Sequence, residues 1–170
     1  LKKNIKDNKN KNMKTQKVDL SKIVTNEEIS YSEEQLVLQT GYCQVIGNSD
    51  SKIRINAKDD PYLLTILEEI NKRYLTTTGE EILKKYYSDV IPPKSRAIPK
   101  WVKKLYFPII YDQTDFYVTL TPKTEIFDHS KKPISNLPKG SNVRLILTFQ
   151  PWHSNSGFSV KIIPLQIQTN

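Results

Sequence analysis

Apolar residues in this chain recur at two different periods, and the switch between them outlines a fold. From residue 36 the period is two. Residues 36–46 carry Leu36, Leu38, Tyr42, Cys43, Val45 and Ile46, with Gly41 inside the run, where a bulge or a barrel bend is expected. A Gly-Asn-Ser-Asp turn cluster follows at 47–50. Residues 52–57 then alternate, with Ile53, Ile55 and Ala57 inward and Lys52, Arg54 and Asn56 outward. At Asp59-Asp60-Pro61 the period changes, because acidic residues and a proline suit a helix start. Leu63, Ile66, Leu67, Ile70 and Tyr74 recur at helical spacing. Three threonines break that helix before Gly79, and Ile82, Leu83 and Tyr86 mark a second short one.

Residues 88–100 read as a proline-rich, extended connector carrying Pro92, Pro93 and Pro99. Strand patterning resumes over 105–111. At 116–120, Phe116, Val118 and Leu120 face in and Tyr117 and Thr119 face out. Residues 124–128 form a short extended piece. At 143–149, Val143, Leu145, Leu147 and Phe149 face in and Arg144 faces out; Trp152 follows that strand. In the last strand Phe158, Val160 and Ile162 face in and Lys161 out, until Pro164 interrupts it, as an edge or a bulge would allow. The prediction is a mainly β chain of five main strands with a helical insertion at 61–87, between the second and third. The strands are few and their turns closely spaced. This favours a five-stranded barrel of the oligonucleotide/oligosaccharide-binding (OB) type over a two-sheet sandwich, occupying 18–170 as one domain.

Charge refines this picture. Residues 1–17 hold seven lysines, one aspartate and no aromatic residue, so they are expected to be a disordered basic tail. Residues 18–97 are mildly acidic, with ten basic and thirteen acidic side chains, whereas 98–170 hold nine basic and four acidic. A polyanion would therefore meet the tail, the C-terminal strands, or both.

The outward set combines rings with cations: Arg54, Tyr117, Arg144 and Lys161 on strands, Lys123, Lys131, Lys132 and Lys139 in turns, and Trp152. An exposed ring can stack on any base, and neighbouring cations neutralise phosphates. The expected ligand is single-stranded nucleic acid, bound with little sequence preference. Stacking and phosphate contacts do not separate DNA from RNA. A second reading makes the chain a structural or protein-interaction module, with the acidic middle as a docking face and the tail as a basic anchor. Burial of Tyr117, Trp152 and Tyr111 would exclude stacking and favour that second reading.

The run Tyr117-Val-Thr-Leu-Thr-Pro-Lys123-Thr-Glu-Ile-Phe127-Asp128, the Lys139-Gly140 turn, and Trp152 followed by Gly157-Phe158-Ser-Val160-Lys161 resemble single-stranded DNA-binding proteins of bacteriophages and large DNA viruses. The resemblance covers roughly the last third of the chain. It implies DNA over RNA, a place in DNA replication inside a viral or phage host cell, and replication proteins as further partners. Many such proteins end in an acidic tail that recruits replication enzymes, whereas this chain ends Gln-Ile-Gln-Thr-Asn.

Catalytic chemistry finds no footing in the sequence, and neither a metal nor a cofactor is expected. His129 and His153 lack zinc-spaced partners, no carboxylate cluster suits Mg²⁺, and five glycines form no phosphate loop. Cys43, the only cysteine, reads as a small buried hydrophobe and rules out an intrachain disulfide, as suits a reducing compartment. No apolar run is long enough to span a membrane and no signal-peptide core is present. The chain starts at Leu1 rather than at a methionine, as a fragment would.

Overall fold

The computed structural model describes residues 14–92 and 97–170. Among the described residues the chain is mainly β, with three α-helices. Of the expected tail, residues 1–13 lie outside the described residues. Residues 14–17 correct the expectation, because they are tied to the body of the protein. Thr15 is 4% exposed, and its N–H and hydroxyl both donate to the Asp60 carboxylate, at 3.1 and 2.5 Å. The Gly41 N–H donates to the same carboxylate at 2.9 Å. The Gln16 N–H donates to the Gln39 carbonyl, and the Tyr62 hydroxyl donates to the Val18 carbonyl. A lysine count cannot reveal this anchor, because one buried acceptor outweighs the local polarity.

Ahead of residue 36 the chain forms a small antiparallel sheet of β1 (Ile23–Thr25), β2 (Ile29–Tyr31) and β3 (Glu34–Gln35). Ile23 and Ile29 are buried in the common core. The main sheet contains β4 (Val37–Gln39), β5 (Cys43–Asn48), β6 (Lys52–Asn56), β7 (Asp115–Thr119), β8 (Glu125–Phe127), β9 (Asn142–Ser154) and β10 (Gly157–Thr169). Its order is β4-β9-β5-β6-β7-β10-β8, and β9 also pairs with β10. The pairings β9–β5–β6–β7–β10 therefore return to β9. All links in this circuit are antiparallel except β7–β10, a parallel contact registered at Val118 and Ile162.

The irregularity expected at Gly41 separates β4 from β5. Both strands pair with β9, and the register shifts by one residue between the Gln39–Ile146 and Cys43–Val143 pairs. A second irregularity falls between Pro164 and Gln166 of β10, as expected of a proline that cannot donate to the ladder. The residues expected inward on β6, β9 and β10, with Phe116 and Val118 of β7, are buried.

The helical insertion forms α1 (Pro61–Tyr74) and α2 (Thr77–Tyr86). Leu63, Ile66, Leu67, Ile70 and Tyr74 make the buried stripe of α1, and Tyr74 stacks on Tyr106 at 5.6 Å between ring centroids. The connector and the strand expected at 88–100 and 105–111 need correction. Residues 93–96 lie outside the described residues, and Ile98–Leu105 forms a third helix, α3. Pro99 sits in its first turn, where its missing N–H does no harm. Ile98, Val102 and Leu105 recur at helical spacing, and Val102 is fully buried against Gly79, where a Cβ would stand 2.7 Å from the valine methyl. Tyr106 then makes a single parallel bridge to Phe158, and Tyr111 a bridge to Asp115, instead of a regular strand.

Asp60 has no exposed surface and receives three donors from two other segments. Asp60→Ala strands the buried N–H groups of Thr15 and Gly41, and is expected to lower stability by about 3 kcal/mol. Urea denaturation checks the magnitude. Limited proteolysis should show cleavage around residues 14–18 appearing in the variant before global unfolding.

Candidate nucleic-acid interface

A groove of about 320 Å³ crosses β7 and β10 on the outer side of the sheet. Phe107, Tyr111, Tyr117 and Trp152 supply its aromatic wall and Lys52 and Lys161 its cations, and no carboxylate lines it. Phe107 and Trp152 lie nearly parallel, with centroids 6.1 Å apart and 15° between planes. Tyr111 meets Tyr117 edge-on at 5.3 Å.

The rings are held by backbone. The Phe107 N–H donates to the Phe158 carbonyl at 3.0 Å, and the Phe107 carbonyl accepts from the Ser159 hydroxyl. The β9–β10 turn closes tightly against this segment. Gly157 has φ +151°, and a Cβ there would stand 2.2 Å from the Leu105 carbonyl oxygen and 2.7 Å from the Phe107 ring, so only glycine fits. The Tyr87 hydroxyl lies 2.6 Å from the carbonyl oxygens of both Ser154 and Gly157, donating to one or the other.

Arg54 stands beside Tyr117 but is already engaged. Its Nε and Nη2 donate to Asp115 at 3.0 and 2.7 Å, and Nη2 also reaches Asp112 at 2.5 Å. The guanidinium lies 5.7 Å from the Tyr117 ring centroid. Hydrogen bonds donated to Asp115, then to Asp112, hold Arg54 above its ordinary pKa. Arg54 is therefore already paired with two carboxylates and packed beside Tyr117, rather than an unengaged outward cation.

Of the residues singled out by sequence, the groove brings together Tyr117, Trp152 and Lys161. Arg144 is a correction: expected outward, it is 3% exposed, with its guanidinium 5.6 Å from the Tyr42 ring centroid. Ile146 and Thr148, which share its face of β9, are buried too, and β2 of the small sheet also contacts this strand. Alternation separates the two faces of a strand but does not reveal that both are covered. Lys131, Lys132 and Lys139 are exposed, but they sit in turns near the start of β9. Trp152 is near its far end, roughly 30 Å along the strand. Lys123 lies in the 121–124 turn, beside Thr124, whose hydroxyl donates to the Pro164 carbonyl. None of these four turn lysines lines the groove.

The sequence reading missed Lys52 and Phe107 as site residues. Lys52 shares the outward alternation of Arg54, a usable signal. Phe107 was hidden by assigning a regular strand to 105–111. Tyr117 and Tyr111 are 37% and 45% exposed and Trp152 is half-buried, so the burial that would exclude stacking is absent. Cys43 is buried, and desolvation pushes its thiol up to about 12, far from a reactive thiolate. His129 is exposed and His153 stacks on Tyr86 at 3.8 Å. Among the described residues no cluster of His, Cys, Asp and Glu could hold a metal, and no helix is long and apolar enough to cross a membrane.

No protein-family model matches the chain, and no curated protein sequence matches it. Solved structures do. One is gp2.5, a single-stranded DNA-binding protein encoded by bacteriophage T7, at 15% identity over 80% of this chain and 86% of its own, with a TM-score of 0.51. Another is the single-stranded DNA-binding protein from bacteriophage Enc34, at 8% identity over 86% of each chain, with a TM-score of 0.49. At such identities the similarity to the T7 protein is one of fold.

Proposed function

We propose that the chain binds single-stranded DNA with little sequence preference, by stacking bases on the groove's rings and neutralising phosphates with Lys52 and Lys161. The circuit of pairings described above then serves as a five-stranded OB-like barrel whose outer wall carries the strand. The carrying observation is the groove itself, with four aromatic side chains and two lysines in one depression that no carboxylate lines. Duplex DNA keeps its base faces stacked on one another, so rings placed to stack favour a single strand. The fold shared with the T7 protein, which is named for single-stranded DNA binding, supports the same reading. A role in replication, in a viral or phage setting, follows from that parallel and from the sequence resemblance.

The decisive measurement is a fluorescence titration with oligo-dT, duplex DNA and single-stranded RNA at two salt concentrations. Tight oligo-dT binding and weak duplex binding are expected. Replacing Trp152 and Tyr117 by alanine together should weaken oligo-dT binding by ~2–6 kcal/mol, at ~1–3 kcal/mol for each base that loses its platform. A variant that keeps its circular dichroism spectrum and its affinity would remove the stacking site from consideration.

Lysines and Arg54 should separate cleanly. Each phosphate contact on a single strand contributes about 0.7 to the slope of log K against log salt. Lys52→Ala and Lys161→Ala should each flatten the slope by about that amount. Arg54→Ala should lower affinity with the slope unchanged, since its charge is already answered by Asp112 and Asp115. A flattened slope in the Arg54 variant would show that it reaches phosphate after all.

Residues 1–13 carry five lysines and one aspartate. Deleting them leaves the Thr15–Asp60 anchor intact and should flatten the slope further, by up to about 3.5 if every lysine meets a phosphate. An unchanged slope means that these residues take no part.

A further inference from the structure

We propose that the nucleic-acid path continues beyond the Phe107–Trp152 pair onto α3, where Lys100, Lys103 and Lys104 receive the phosphates that leave the groove. This rests on the reading of the groove as a single-strand site.

Three observations lead there. The first is continuity. α3 ends against the groove wall: its Leu105 carbonyl abuts Gly157, and Phe107, two residues on, forms part of the aromatic wall. Lys103 and Lys104 precede Phe107 by only four and three residues, in the last turn of that helix.

The second is charge. Residues 98–111 contain three lysines and no acidic residue. Lys100, Lys103 and Lys104 are exposed, and their spacing puts them on one face of α3. No ion-pair partner is present for them among the described residues. The Lys104 ammonium is held 4.7 Å from the centroid of the half-buried Trp101 ring. The helix dipole accounts for cations in the last turn, where Lys103 and Lys104 lie, but it works against Lys100 in the first turn. An external anion favours all three.

The third is the alternative route. Trp152 also borders a second cavity, of about 520 Å³, beside α2 and the end of β9. Glu27 and Glu81 line that cavity, and its lysine, Lys85, is already paired with Glu27 at 2.5 Å. A polyanion leaving Trp152 is repelled on that side and attracted towards α3.

The test compares the parent with Lys100→Ala/Lys103→Ala/Lys104→Ala on two oligo-dT lengths, about 5 and about 16 nucleotides, which span the site sizes of OB folds. The three side chains are exposed, so circular dichroism and thermal melting should match the parent. On the long strand the variant's salt slope should fall by about 2, equivalent to an affinity loss of about 100-fold at 0.1 M salt. On the short strand, which fills the groove alone, it should bind like the parent. An unchanged slope on the long strand overturns the inference while leaving the groove intact. An equal loss on both lengths also overturns it, since α3 would then belong to the groove and extend nothing. A parent that binds neither length removes the proposed function itself.

Discussion

Everything in this molecule is referred to the antiparallel ladder between β9 and β10. The two strands are joined by a tight turn and stay paired from Ser154–Gly157 to Val143–Thr169. No other pair in the sheet is so long among the described residues. β4 and β5 take the free edge of β9 in succession, and β7 and β8 take that of β10. The Phe107 N–H donates to the Phe158 carbonyl, and the Tyr87 hydroxyl caps the turn. Backbone polar groups inside a protein must be paired, so a ladder that satisfies its own leaves only its outer edges to recruit further strands. The position of the groove follows. Its walls come from β7, from β10, from the end of β9 and from the segment after α3, with Lys52 of β6 at its side.

The parts legible in the sequence are those governed by local periodicity. Ile53, Ile55 and Ala57, or Phe116 and Val118, reveal their burial because a strand must turn alternate residues to one side. Leu63 to Tyr74 do so because a helix repeats every 3.6 residues. What stayed hidden depended on partners far along the chain. Nothing near Thr15 announces a carboxylate forty-five residues away, and nothing near Arg144 announces that a small sheet will cover its strand. α3 was legible in principle from Ile98, Val102 and Leu105, but the prolines before it drew attention to an extended path.

The groove shows the same division. Tyr117 and Lys161 were found by alternation and Trp152 by its place after a strand, and tertiary structure joins the three. Arg54 shows why a cation on an outward position is not yet a ligand site. A guanidinium shared between a nearly buried and an exposed carboxylate adds no net positive charge to the surface, because the three groups together carry one negative charge. Lys52 and Lys161 have no such claim on them in the groove, and they dominate its field.

The parallel contact between β7 and β10 rests on one registered pair, Val118 with Ile162. It is the least stitched link of the circuit, and the groove lies directly across it, with residues of both strands in its floor. Whatever fills the groove acts as a splint across that seam. The free energy of occupancy then also counts towards keeping the circuit shut.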